Sequence, residues 1–523
     1  MSYKLTYSTM FDPPPEMHAR FDAAMRDVRS QLGRRYALHI NGVDVDTANA
    51  RDKRSPIDRD WLLGSFAQAG TQDVDRAMSA AAAAFPKWRA TPPQERMRLL
   101  RKVAQLIEER VYHIGAALTL EVGKNRMEAL GEVQETADFF TAYCDSFEQQ
   151  GGFDHVLPND PLPNLVSRNR SVMKPYGVWV VINPFNFPFA LAGGPVAAAL
   201  VTGNTVVLKG ASETPWSGRL LADCLRDAGL PPGVFNYLMG PGAAIGDALV
   251  EHPLTAGVTF TGSYETGMGI VRKLAAGRFP KPCIAEMGGK NACVVTANAD
   301  LERASAGIVR SAFGMGGQKC SALSRLYVEE SVADALIQKL QQKMQAIVVG
   351  DPTRKENWLG PVVSERALRK YGGYVNGLRQ GGATMLLGGD VLSTGDLARG
   401  NYALPTLAEA GLEHPLWREE MFLPILMLKR VKNLDEGIAL ANDSDLGLTA
   451  GFYGSPAEVA TFLERIEAGV TYSNRAQGAT TGAWPGYQPF GGWKGSGNTG
   501  KAIASFYYLA QYLREQSQTV VES

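Results

Sequence analysis

The sequence predicts an α/β protein, with mostly parallel sheet and helices on both of its faces. Three observations predict it. From residue 176, short valine- and isoleucine-rich runs alternate with stretches whose apolar residues recur at helical spacing, the rhythm of a parallel sheet and its crossover helices. A second strand–helix series starts near Asn291. The chain has 523 residues, 45% of them apolar and 20% charged, so it is ordinary globular material long enough for two or three folded units.

The elements follow in order. The early part of the chain reads as helical. Thr91-Pro92-Pro93-Gln94 resembles an N-cap, a proline near the first helical position and a capping-box partner; Leu99, Val103, Leu106 and Ile107 then recur on one face. Residues 152–170 are polar and proline-bearing, an arm or flap inserted before the first clear parallel strand. Residues 176–182 suit a buried strand. A small-residue helix is expected from about 189 to 201, then a strand at 205–208 and a helix over about 215–228. A strand at 234–239, a helix at 241–250 and a strand at 257–261 complete this series. In the second series the expected strands are 292–296, 326–328 and 425–428. Residues 519–521 form a β-prone end that either frays or pairs with another subunit.

Several classes are disfavoured. With 53 basic and 53 acidic residues, the chain has no general pull toward nucleic acid or an anionic membrane. The most apolar stretch, 176–201, is interrupted by Asn183, Pro184, Asn186, Pro188 and Pro195, and reads as strand, loop and helix instead of a membrane span. The first residues lack an apolar signal segment, and Asp12 and Glu16 speak against a transit peptide. The five cysteines (Cys144, Cys224, Cys283, Cys293 and Cys320) show no CxxC pair or Cys/His ligand spacing. That predicts no metal site and free thiols in a reducing compartment, the cytoplasm.

Four motifs carry chemistry. Cys320 follows Gly314, Gly316 and Gly317 and sits between Lys319 and Ser321. A lone cysteine is most often a small buried hydrophobe. Glycines, however, admit close approach by a ligand, and a nearby cation lowers a thiol pKa, which makes Cys320 the candidate nucleophile. The other four cysteines are read as structural. Glu286 ends an expected strand ahead of Gly288-Gly289. It is either a capping or surface carboxylate or a base that activates water against a covalent intermediate. Asn186, in Asn183-Pro184-Phe185-Asn186-Phe187-Pro188, lies at the carboxyl end of a strand, where open α/β sheets bind ligands. Its amide is either a turn former or a donor to a developing oxyanion. No well-placed G-x-G-x-x-G occurs. Instead Phe260-Thr261-Gly262-Ser263 reads as strand, turn and helix start, where Ser263 and free N–H groups can hold a phosphate. Lys209, ending another strand, is either a solvated lysine or a ribose or phosphate contact.

Taken together, 183–188, Lys209, 260–267, 286–291, 317–322, 419–424 and Pro489-Phe490-Gly491-Gly492 resemble the aldehyde dehydrogenase superfamily, in that family's order and over most of the chain. The resemblance implies a Rossmann-type dinucleotide-binding domain (1–151 and 172–287) and an α/β catalytic domain (288–480). It adds a small β oligomerisation flap with anchor loop and tail (152–171 and 481–523). It implies oxidation of an aldehyde to an acid through a thioester on Cys320. The oxyanion would be held by the Cys320 N–H and the Asn186 amide, and Glu286 would activate the deacylating water. The cofactor would be NAD, which supplies the hydride acceptor. Lys209 would contact the adenosine ribose, Ser263 the pyrophosphate and Glu420 the nicotinamide ribose, with Phe422 near the nicotinamide. Ile182, Pro184, Phe185, Ser212, Gly242, Phe260, Thr261, Gly262 and Gly288 would complete the cofactor site. NAD-selective members often carry a glutamate three residues after this lysine; Ser212 stands there and leaves NADP open.

Finer features resemble the Δ1-pyrroline-5-carboxylate dehydrogenase branch, which oxidises L-glutamate γ-semialdehyde to L-glutamate in proline catabolism. They are 121–125, 317–322, Thr481-Gly482-Ala483, 488–492 and the long approach to 36–42. This implies that Gly482 and Ala483 present N–H groups to the α-carboxylate and that Ser321 adds a hydroxyl. Phe187 and Phe490 would clamp the aliphatic middle, or else be ordinary core. Glu135 would pair with the α-ammonium, or else lie on a solvated helix face. Trp484-Pro485 departs from the Leu-Val or Ile-Val often seen in the branch. A small-molecule substrate, no nucleic acid or membrane partner, and a homo-oligomer (dimer, or hexamer as a trimer of dimers) are also implied. Two alternatives stay open: an enzyme for another semialdehyde such as succinate semialdehyde, and a non-catalytic protein reusing the fold.

Overall fold

The computed structural model describes residues 13–161, 164–479 and 484–522. A first seven-stranded sheet runs, in spatial order, Cys283–Glu286, Thr255–Thr261, Val178–Ile182, Thr205–Lys209, Phe235–Leu238, Leu38–Ile40 and Val43–Val45. The first five strands are parallel, and the last two add antiparallel. Val178, Trp179, Val180 and Val181 are all buried. A continuous apolar run is what a strand covered by helices on both faces requires. The chain leaves Val178–Ile182 toward Thr205–Lys209, then returns to its other side with Thr255–Thr261. The crevice at the carboxyl ends of those strands is a topological switch point, where such sheets bind ligands.

The second sheet runs Thr384–Leu387, Thr406–Glu409, Ile425–Val431, Leu323–Glu329, Asn291–Val295, Thr449–Tyr453 and Val470–Ser473. Its neighbours are parallel except the first pair. The third sheet joins Asp154–Leu157, Val166–Pro175 and the tail Leu513–Glu522, all antiparallel, with Leu513 opposite Pro175 and Glu522 opposite Val166. Val156, Leu157, Val166, Val520 and Val521 of this ribbon are exposed.

Two local readings are corrected. Thr91 does not cap the helix Pro93–Glu109, whose N-cap position is Pro92. It closes the preceding helix Thr71–Ala90, its hydroxyl donating to the Lys87 carbonyl at 2.9 Å. The tail does not fray: its ladder pairs with the flap of its own chain along ten residues. Several strands also extend beyond their apolar centres, as Leu323–Glu329 and Ile425–Val431 do, because the backbone ladder continues through polar residues. Among the described residues no helix is long and apolar enough to cross a membrane, and no cluster of three or more His, Cys, Asp or Glu could hold a metal ion.

Candidate active site

The carboxyl ends of the first sheet face loops of the second across a cleft of about 1130 Å³. The first sheet contributes Ile182, Pro184, Phe185 and Asn186 after one strand, and Lys209 and Ser212 after the next. It further contributes Gly242 at the start of the helix Gly242–Val250, Phe260 to Ser263, and Gly288. The second sheet contributes Cys320, Glu420 and Phe422. All the residues anticipated around a dinucleotide are therefore brought to one cleft.

Physical details fit an extended, phosphate-bearing ligand. Ser263 is the N-cap of the helix Tyr264–Ala275, its Oγ accepting the Thr266 N–H at 3.4 Å. Such helix starts favour anions. Lys209 is buried, and desolvation brings its ammonium down to about 8. Ser212 donates to the Gly240 carbonyl at 3.1 Å. The next residue, Glu213, lines the same cleft and lies 3.6 Å from Arg51, a carboxylate that sequence reasoning passed over. Glu420 accepts the Gly289 N–H at 2.8 Å, and burial raises its carboxyl to about 7. A Cβ on Gly288 would stand 2.2 Å from Glu420 Oε2, so that position has to be glycine for the carboxylate to lie where it does. Phe422 has φ of 56°, costly for a bulky residue, and meets Phe185 edge-on with ring centroids 5.8 Å apart.

Cys320 is delivered by a tight turn. The helix Leu301–Phe313 ends in the 3₁₀ segment Gly314–Gly317, and the strand Leu323–Glu329 follows. Gly317 has φ of 69°, and a Cβ there would sit 2.4 Å from the Leu423 carbonyl. Asn291 pins the turn by donating to the Cys320 carbonyl at 2.6 Å. Burial pushes the Cys320 thiol up to about 12, helped by Glu420 and Glu286, while the N–H groups of Ser321 and Cys320 act the other way. The charge of Lys319 is coupled to Cys320, but burial outweighs it. The Lys319 ammonium turns to Glu128, 3.7 Å away, because adjacent residues of this turn face different cavities. Cys144, Cys224 and Cys283 are also pushed to about 12 by burial.

Beside Cys320 lies a small cavity of about 40 Å³, walled by Glu286, Glu135, Phe187, Phe490, Thr259 and Tyr508 among others. Glu286 accepts the Gly492 N–H at 3.3 Å, and burial raises its carboxyl to about 8. Cys320 thus lines both the large cleft and a small cavity that holds the Glu286 carboxylate. Glu135 and Phe187 also line a neighbouring small space with Glu128, Glu132, Lys319 and Trp484. Phe187 is held under the Lys124 ammonium, 3.7 Å from its ring centroid. Lys124 pairs with buried Glu132 at 2.5 Å. Glu132 in turn accepts the N–H groups of Phe189 and Ala190 at the start of the helix Ala190–Val201. Trp484, buried, donates to Asp138 at 3.1 Å.

Of the anticipated substrate residues, Glu135, Phe187 and Phe490 come together around the chamber. Ser321 is buried beside Cys320, but the walls of these cavities are formed without it. Gly482 and Ala483 lie outside the described residues. Glu128, Tyr508 and Trp484 were not anticipated as walls; they are distant in sequence and carry no local signal. Lys319 was noticed for Cys320, and the fold adds Glu128 as its ion-pair partner.

The aldehyde dehydrogenase family model matches residues 44–517. This chain belongs to the aldehyde dehydrogenase family. Among its relatives, 1-pyrroline-5-carboxylate dehydrogenase 1 of Halalkalibacterium halodurans is 37% identical over 509 residues, 96% of each chain. 1-pyrroline-5-carboxylate dehydrogenase 2 of Bacillus subtilis is 36% identical over 526 residues, 99% of each. The crystal structure of 1-pyrroline-5-carboxylate dehydrogenase from Thermus with bound NAD is similar at TM-score 0.92 and 33% identity, covering 99% of this aldehyde dehydrogenase and 100% of that chain. Proline utilization A from Bdellovibrio bacteriovorus gives TM-score 0.90 at 32% identity. There 96% of this chain matches only 51% of the other, so this chain spans about half of that longer protein.

Proposed function

We propose that this aldehyde dehydrogenase oxidises L-glutamate γ-semialdehyde, the open form of Δ1-pyrroline-5-carboxylate, to L-glutamate in proline catabolism, with NAD as acceptor. The observation that carries the reading is Cys320 lining both a dinucleotide-sized cleft and a small cavity that holds Glu286 and Glu135. The relatives named for this reaction support it.

The cleft fits NAD: a buried cation at Lys209, two helix starts at Gly242 and Ser263, and a glycine cradle beside Glu420. When bound, the nicotinamide accepts the hydride. The protein's own work starts with the Cys320 sulfur, which gives its proton to water and forms a bond to the aldehyde carbon. The resulting alkoxide is held by the Cys320 N–H and the Asn186 amide. Loss of hydride leaves a thioester. Glu286 takes a proton from water as its oxygen adds to the carbonyl. The C–S bond then breaks, releasing the acid and the thiolate. A carboxyl near 8 takes and returns protons readily close to neutrality.

The chamber suits an amino-acid head. Glu135 takes the α-ammonium, and Phe187 and Phe490 pack on the aliphatic chain. Lys319, the N–H groups of Gly482 and Ala483, and the Ser321 hydroxyl are assigned to the α-carboxylate. The acidic wall of Glu128 and Glu135 disfavours succinate semialdehyde, which lacks an ammonium. Glu213, which lines the same cleft as Lys209, is a carboxylate that favours NAD over NADP.

Residues 1–151 with 172–287 are assigned to the dinucleotide domain, 288–480 to the catalytic domain, and 152–171 with 481–523 to the flap and tail. The exposed apolar residues of the flap ribbon support pairing with a second copy, and the free cysteines suit the cytoplasm. The test is NADH and NADPH formation with pyrroline-5-carboxylate, succinate semialdehyde and propanal. Pyrroline-5-carboxylate with NAD is expected to give the highest kcat/KM; parity with propanal would overturn the substrate.

A further inference from the structure

The helix Ala190–Val201 follows directly on the loop that carries Asn186, and it starts without a cap of its own. Phe189 stands at its N-cap position and has no side-chain acceptor to offer. The acceptor comes from elsewhere in the chain. Glu132 Oε1 takes the N–H groups of Phe189 at 2.8 Å and Ala190 at 3.1 Å. Its other oxygen takes the Lys124 ammonium at 2.5 Å, and both side chains are buried. The same ammonium lies 3.7 Å from the ring centroid of Phe187, the residue after Asn186. Asn183 ties the loop to itself, its Nδ2 donating to the Pro184 carbonyl at 3.2 Å and to the Pro188 carbonyl at 3.0 Å. The segment 183–190 is thus one stiff piece, fastened at its exit by Glu132.

The helix that carries Glu132, Arg126–Gln149, also holds the nucleophile's turn. Glu128 lies one helical turn before Glu132. Its Oε1 accepts the Met315 N–H at 2.9 Å. Met315, with φ of 52°, belongs to the 3₁₀ segment Gly314–Gly317 that leads into Cys320. One turn beyond Glu132, Thr136 meets Gly193 of the helix Ala190–Val201, so closely that a Cβ on Gly193 would stand 2.3 Å from Thr136 Cγ2. Three consecutive turns of one helix therefore fasten the approach to Cys320, the exit from the Asn186 loop, and the flank of the helix after that loop.

We infer that Glu132 is a positioning residue for Asn186: it fixes the oxyanion donor relative to Cys320 by tying the donor's loop to the helix that also ties the nucleophile's turn. This rests on Asn186 being the donor and adds what holds it in place. The competing role is a helix cap that contributes stability alone. The two differ in how they combine with Asn186. Loss of a cap costs the same whether or not Asn186 is present, whereas loss of a positioning residue acts through Asn186 and disappears with it.

The test is a double-mutant cycle on the full-length enzyme with Glu132→Ala, Asn186→Ala and the pair, assayed by NADH formation with pyrroline-5-carboxylate and with propanal. Propanal has no amino-acid head, so contacts to the head do not enter its rate. Asn186→Ala is expected to slow both aldehydes by about a hundredfold or more, the usual effect of removing one oxyanion donor. Glu132→Ala is expected to lower kcat/KM by at least about tenfold with both, the effect of a misplaced reacting group, while the Kd for NAD holds. In the Asn186→Ala background the same change should cost less than about twofold, since the group it places is gone. An equal loss in both backgrounds, no loss in either, or a loss confined to pyrroline-5-carboxylate overturns the positioning role and leaves Asn186 as the donor. Asn186→Ala working at the wild-type rate overturns the donor and the inference together. Removing one member of a buried ion pair is costly. Should Glu132→Ala fail to fold, Glu132→Asp takes its place in the cycle. It keeps the charge facing Lys124 and withdraws the carboxylate by one methylene, and the same outcomes decide.

Discussion

Glu286→Gln converts the protonation of a buried carboxyl into a stability difference that depends on pH. Burial lifts Glu286 from 4.5 to about 8. Below pH 4.5 the group is protonated whether the chain is folded or not, so it costs the fold nothing. Between 4.5 and about 8 the unfolded chain ionises first, and wild-type stability falls as pH rises. Above about 8 the full difference is present, on the order of 5 kcal/mol at 1.36 kcal/mol per pKa unit. Glutamine keeps an acceptor for the Gly492 N–H and has no proton to lose, so the variant escapes this cost. In a domain of roughly 250 residues each kcal/mol moves Tm by about 2–4 °C. The variant is therefore expected to melt about 10 °C or more above wild type at pH 8.5, with the gap closing toward pH 5. The assay is thermal melting of both proteins across that range, with a burst experiment on the same samples. The variant should release one equivalent of NADH and stop. A gap in Tm that does not change with pH would refute the buried-acid reasoning, and sustained turnover would refute the role of the acid.

Cys320→Ala should abolish turnover while leaving the fold and NAD affinity in place; oxidation at the wild-type rate would end the thioester reading. With the thiol at about 12 in the free protein, alkylation of Cys320 should be slow at pH 7 and climb about tenfold per pH unit to pH 9, as thiolate fraction dictates; a rate that levels off near pH 7 contradicts this. Gly317→Ala places a Cβ 2.4 Å from the Leu423 carbonyl in a left-handed backbone, and should cost at least about 2 kcal/mol of stability together with most of the activity, read by melting and kcat. Lys209 loses its charge through about 8, so the Kd for NAD should rise above that pH in wild type and stay level in Lys209→Met; parallel titrations of the two would remove Lys209 from the cofactor site.

What the sequence determined by itself was whatever local chemistry writes into neighbouring residues. Strand 178–182 is legible because both of its faces are buried, so every position must be apolar. The turns beside Cys320 and Glu286 are legible because each carries a glycine at a position with no room for a Cβ, as Gly317 and Gly288 show. Resemblance across ordered motifs added the cofactor roles, and the cleft gathers those residues at one sheet edge.

Tertiary structure alone decided what depends on distance between remote segments. Lys319 adjoins Cys320 in sequence yet pairs with Glu128, far earlier in the chain, because side-chain direction in a turn follows from φ and ψ and is invisible in residue order. The tail pairs with 166–175, more than 300 positions earlier in the chain. The hydroxyl chain from Trp179 to Tyr508 joins residues more than 300 positions apart, and Glu286 acquires its raised pKa from burial that the whole fold creates. Charge, desolvation and hydrogen-bond direction are properties of a packed neighbourhood, and a neighbourhood exists only after the chain has closed on itself.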